Sequence, residues 1–122
     1  MNESSNHADD LSEKELFPEN FDAVVVAPNS HEVLFENDRV RVIRVVIQPG
    51  EKEPMHHHQW SSVMIVDVPT DLNYFDAEGR CQKIVAVKGK RKIEWMDPEP
   101  MHAVENLDEE TAYDATRIEF KE

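Results

Sequence analysis

From Val24 onward the chain is divided into short β-branched runs by turn residues at regular intervals, and this rhythm constrains the fold more than any other feature. Runs at 24–27, 32–36, 39–48, 57–67, 71–76, 82–87, 91–96, 101–106 and 112–120 are punctuated by Pro28-Asn29, Asn37-Asp38, Pro49-Gly50, Pro69-Thr70, Glu78-Gly79, Gly89, Pro98/Pro100 and Asp108-Glu109. No long helical period and no repeat interrupts them. Eight or nine short strands in about 100 residues predict an all-β sandwich or barrel. Alternation supports several runs. Ile93 and Trp95 oppose Lys92 and Glu94, and Ile118 and Phe120 oppose Arg117, Glu119 and Lys121. In "RVRVIRVVI" the apolar phase moves from Val40 and Val42 to Ile43, Val45 and Ile47, which predicts a bulge near Ile43 or burial on both faces. Trp60 and Trp95 are expected to pack in the core.

Residues 1–22 have a different texture: polar, without sustained periodicity, and carrying seven acids against the single Lys14. They read as a flexible acidic tail, with at most one turn from Ser12 to Phe17, ahead of a single domain over 23–122. The whole chain has a net charge of −13, a field that repels phosphate backbones and argues against nucleic acid. The charges within 80–93 are all basic, and "KGKRK" at 88–92 reads as a solvated hairpin turning at Gly89. No apolar run approaches the ~20 residues that span a bilayer, so no membrane partner is expected. The single Cys81 cannot form an internal disulfide, and a cytoplasmic location is expected.

Chemistry concentrates in "PGEKEPMHHHQW", residues 49–60. On a strand His56 and His58 share one face and His57 takes the other. Trp60, Ser62 and Met64 continue the phase of His56 and His58, and this mostly apolar face is expected to be the interior. In "PEPMHAVEN" His102 shares its phase with Val104 and Asn106. If the two strands are neighbours, His56, His58 and His102 form a three-histidine face for a divalent metal, with Trp60, Ser62, Met64, Val104 and Asn106 lining the pocket. The residues alone also allow a solvated histidine turn. Glu53, in the preceding loop, is a weaker candidate for a fourth ligand. Gln59 and Glu105 alternate away from the pocket, His57 is expected at the surface, and His31 and His7 lie outside both motifs.

"PGEKEPMHHH" resembles the first motif of the cupin superfamily, G(X)5HXH, with Gly50, His56 and His58 in register. "DPEPMHAVEN" resembles a shortened second motif through Pro98, His102 and Asn106. The lead-in "HEVLFENDRVRVIRVVIQPGE" is similar to small single-domain cupins, including those described as β-alanine-degradation-type proteins. The resemblance implies a double-stranded β-helix (jelly-roll) barrel, often dimeric, with Fe, Zn, Mn or Ni near its centre. It implies a small, anionic, chelating organic acid as ligand, and dioxygenase or Lewis-acid chemistry. A non-catalytic binding module is the alternative. The chain departs from the family where a metal-binding glutamate and a glycine are usual: Ser62 and Val63 occupy the glutamate region, the glycine is absent around Pro69, and Pro100 replaces a glycine of the second motif. Three neutral imidazoles would leave a bound M²⁺ with its full charge, which favours an anionic ligand.

Overall fold

The computed structural model describes residues 13–121. Its elements are α1 (Glu13–Leu16), a 3-10 turn (Glu19–Phe21), α2 (Ala23–Val26), then β1 (His31–Glu36), β2 (Val40–Ile47), β3 (His56–His58), β4 (Ser62–Val68), β5 (Leu72–Phe75), β6 (Cys81–Ile84), β7 (Lys92–Met96), β8 (Glu99–Asn106) and β9 (Tyr113–Phe120). The strands form two antiparallel sheets, ordered β1-β2-β9-β4-β7 and β3-β8-β5-β6. Successive strands such as β3 and β4, or β8 and β9, lie in opposite sheets. The chain therefore winds back and forth across one interior, as in a jelly roll. Ile43, Val45 and Ile47 of β2, Met64 and Val66 of β4, Leu72 of β5, and Tyr113 and Ala115 of β9 fill that interior. Gly50, at φ 73°, makes the turn that returns the chain toward β3, and its N–H donates to Asp108 O. No helix among the described residues is long and apolar enough to cross a membrane.

Four expectations from the sequence are corrected. The run 24–27 is not a strand: Asp22 Oδ1 accepts from Val24 N at 3.1 Å and caps the one-turn α2. The cap outweighs the small helix penalty of the valines. The run 57–67 is two strands in different sheets, parted at 59–61. In β2 the inward phase is odd throughout, Arg41, Ile43, Val45 and Ile47, and its register with β9 is unbroken. The irregularity lies in β1 instead, between Val33 and Phe35. Alternation misleads here because buried Arg41 points inward to partners while Val40 and Val42 point outward. Finally, Trp95 is 58% exposed and stacks on Phe120, and Trp60 lies under the Arg41 guanidinium at 5.0 Å. Neither indole belongs to the apolar core.

Part of the expected tail lies on the barrel. Pro18 O sits 2.7 Å from His57 Nε2, and Phe17 meets the same imidazole edge-on. Asp22, buried, pairs with Arg41 Nη2 at 3.0 Å. Contacts from residues 17–22 thus reach across the 22/23 boundary to the barrel. Residues 1–12 of the expected tail lie outside the described residues.

Candidate metal centre

Strand pairing brings the three expected histidines together. β3 and β8 are hydrogen-bonded neighbours, with His56 opposite His102 and, past a register shift, His58 opposite Glu99. The imidazole centroids of His56 and His102 are 4.4 Å apart, those of His56 and His58 5.1 Å, and those of His58 and His102 5.4 Å. A fourth imidazole joins them. His31, the first residue of β1, lies 4.9 Å from His56 and 5.3 Å from His58 by centroid. Donor atoms of His31, His56 and His58 lie within 4.8 Å of one another, as do those of His58, Glu99 and His102. All four histidines are buried.

Each ring is held by Nδ1. His56 Nδ1 lies 2.8 Å from Pro54 O and His102 Nδ1 2.8 Å from Pro100 O, acceptors that fix the N–H there. His58 Nδ1 donates to Glu119 Oε2 at 3.1 Å, and His31 Nδ1 lies 2.9 Å from Ser30 Oγ. Nε2 is left as the lone-pair atom of each ring, the arrangement by which metal-ligating histidines are usually oriented. Burial, then His102 and Arg117, pushes His56 down to about 3. Burial likewise holds His31, His58 and His102 below the ordinary imidazole range. Neutral rings are the ligating form.

Besides Glu119, two more carboxylates border the rings. Glu53 Oε1 is 3.8 Å from His56 Nε2, and its Oε2 accepts from Ser30 Oγ at 2.7 Å. Burial pushes this carboxyl up to about 7. Glu99 Oε2 is 3.9 Å from His102 Nε2 and accepts from Tyr74 Oη, while its Oε1 accepts from Arg117. Burial raises Glu99, but the Arg117 and His102 charges outweigh it and hold the carboxyl low. Tyr74 lies flat on His102, 5.0 Å between centroids. The first motif supplies no carboxylate here, as Ser62 and Val63 predict, but Glu99 of β8 and the loop candidate Glu53 both stand beside the rings.

His57 faces away from this cluster, as alternation requires, yet it is buried rather than at the surface. Residues 17–22 cover it, and its Nδ1 has no hydrogen-bond partner among the described residues.

The histidines close a cavity of about 400 Å³. Among solved structures, the chain is similar to a cupin domain from Bordetella pertussis Tohama I, at 23% identity and TM-score 0.62 over 75% of this chain and 92% of that one. An RmlC-like cupin from Methanocaldococcus jannaschii, described as a double-stranded β-helix, matches at 13% identity and TM-score 0.55, over 74% and 77%. The chain has the cupin fold. The polyketide cyclase RemF of Streptomyces resistomycificus shares it, at 15% identity and TM-score 0.52 over 75% of this chain and 64% of that one. No protein-family model and no curated protein matches the sequence.

Within this cupin barrel Met64 and Val104 line the cavity, and Trp60, Ser62 and Asn106 do not. Trp60 borders a separate surface depression with Trp95 and Phe120. Ser62, where the family's carboxylate is usual, is buried and accepts from Arg117 Nε at 3.0 Å. Asn106 donates to Ile47 O and Thr111 O and accepts from Thr70 Oγ1, tying loops together below the cavity. His31, Glu99 and Glu119 were missed by sequence reasoning. His31 and Glu119 lie far along the chain from their partners and carry no local spacing signal, whereas Glu99 stands three residues before His102 on the same strand, a spacing that could have been read from the second motif. The basic hairpin also changes meaning: Lys90, Arg91 and Lys92 border the cavity.

Proposed function

We propose that this cupin holds one divalent ion, of the Fe, Zn, Mn or Ni group, through Nε2 of His56, His58 and His102, with His31 or Glu99 completing the donor set. The anchoring of every Nδ1 is the observation that carries this reading. A nitrogen-rich set suits these borderline metals better than Mg²⁺ or Ca²⁺. When bound, such an ion supplies Lewis-acid polarisation of an oxygen-bearing ligand or, if iron, access to O₂. The chain's own groups do the rest. Pro100 O and the stacked Tyr74 fix the His102 ring, Glu119 fixes His58, and Glu53 has a carboxyl balanced to hold or release a proton at the cavity near neutral pH. An anionic ligand is proposed, and turnover rather than mere binding is the further step. A cytoplasmic setting fits the exposed free thiol of Cys81.

The test is elemental analysis and calorimetric titration of untagged protein with Zn²⁺, Fe²⁺, Mn²⁺ and Ni²⁺. About one tightly held ion per chain is expected, and no retention of any of the four would overturn the proposal. Oxygen uptake by iron-loaded protein with a panel of organic acids then separates an enzyme from a binding module.

A further inference from the structure

The inward side chains form a gradient along the barrel axis. On β2 they run Arg41, Ile43, Val45, Ile47, and on β9, in paired order, Glu119, Arg117, Ala115, Tyr113. On β4 they run Ser62, Met64, Val66, opposite Glu119, Arg117 and Ala115. On β8 they pass from Glu99 and His102 to Val104. Four strands thus repeat one order, polar or charged at the histidine end and apolar beyond it. The cavity spans both parts and opens beside the 85–92 hairpin, where Val85 and Val87 border it together with Lys90, Arg91 and Lys92. At about 400 Å³ it falls within the ~300–1,000 Å³ of pockets that enclose drug-sized molecules. A two- or three-carbon acid would leave most of it unfilled.

We infer that the ligand is an elongated amphipathic acid, its oxygen-bearing head at the histidines and an apolar body lying along Val45, Val66, Leu72 and Val104. The assignment of the head rests on the metal reading above. The assignment of the body rests on the apolar wall alone. Charge supports an acid rather than a neutral amphiphile. The chain carries −13 overall, yet the mouth of its cavity is built from the stretch whose charges are all basic. Arg91 is paired with Asp67 and Lys92 with Glu94, while among the described residues no ion pair engages Lys90. A local positive mouth on an acidic protein draws anions to the opening.

The test is calorimetric titration of straight-chain carboxylates from acetate to decanoate into zinc-loaded and metal-free protein, with octanol as the uncharged control. Affinity is expected to rise about threefold to fourfold per methylene until the cavity is full, and octanoate to bind at least tenfold more tightly than octanol. Val85→Asp, at an exposed lining position, should weaken octanoate at least tenfold and leave acetate unchanged. Acetate binding as tightly as octanoate to zinc-loaded protein would overturn the apolar body while leaving the metal centre standing. Equal binding of octanol and octanoate would overturn the acid. Chain-length dependence in a protein that retains no metal would uphold the apolar body and remove the metal from its head.

Discussion

At the scale of single residues, position within the "HHH" run decides the consequence of losing a ring. His56→Ala, His58→Ala and His102→Ala each remove one of the converging Nε2 donors, and each should reduce metal affinity at least a hundredfold by calorimetry. His57→Ala should leave affinity nearly unchanged. It should also cost about 1–2 kcal/mol in denaturant unfolding, because the buried contact with Pro18 is lost. Equal affinity losses at 56, 57 and 58 would refute the site. The rings also set the acid response of the metal-free protein. Unfolded imidazoles titrate near 6.5, whereas in the fold His56 lies near 3 and His31, His58 and His102 are also lowered. Below pH 6.5 the unfolded chain therefore binds more protons, and stability falls as pH drops toward the folded values. The depressed Glu99 adds a further loss only at lower pH, where the unfolded carboxyl takes up its proton, at about 4.3. Glu53 and Glu119, raised by burial, act in the opposite sense, but they are two carboxyls against four imidazoles. Melting temperature should fall from pH 7 to pH 5, and a flat profile would contradict the assignment. Because the rings are already neutral, proton competition with the metal should begin below the 6.5 of a free imidazole.

At the scale of elements, the segment 13–22 behaves as part of the barrel. Asp22 caps α2 and pairs with Arg41, whose Nε also donates to Glu119 at 2.6 Å; Glu119 in turn holds His58. The segment thus reaches the histidine cluster through three side chains. Asp22→Ala should cost about 3 kcal/mol, the low end for breaking a buried pair, since Glu119 still faces Arg41. A truncation starting at residue 23 should lower the melting temperature, and an unchanged value would restore the simple tail. Asn106 is the corresponding tie at the other end of the barrel. Its amide bridges β2, the 69–71 turn and the 107–112 loop. Asn106→Ala should cost about 2–4 kcal/mol in unfolding and leave metal affinity intact, because it orphans buried backbone acceptors far from the rings.

At the scale of the whole molecule, the outer face of the five-stranded sheet is unusually apolar. In register across it lie Phe35, Val42, Ile118, Val63 and Trp95, one from each strand. Phe35 is 55% and Ile93, beside Trp95, 67% exposed. An antiparallel sheet with one buried face normally turns polar side chains outward. Five strands at about 4.8 Å make this face about 20 Å wide, enough for a small interface. The proposed occupant is a second copy, giving the homodimer expected from the resemblance. The flanking charges are already matched within the chain, Arg44 to Asp114 and Lys121 to Glu36, so the face offers nothing to a strongly charged partner. Light scattering should give twice the 14.1 kDa chain mass, and Trp95→Glu should give the monomer. Added salt should strengthen association by screening two like-charged copies. A monomer at micromolar concentration would refute this.

The strand rhythm, the turns at Gly50 and Gly89, and the shared face of His56 and His58 were legible in the sequence, because they depend on period-two alternation and local turn chemistry. Alternation assigns residues to two faces but does not say which face is inside. In β9 the sequence pairs Ile118 with Phe120 and Arg117 with Glu119, and the fold buries the charged pair. That choice is made by partners distant along the chain: Arg41 for Glu119, Ser62 and Glu99 for Arg117. His31 entered the histidine cluster for the same reason. Only sheet topology places the start of β1 beside β3, and no spacing within one segment encodes a meeting between two.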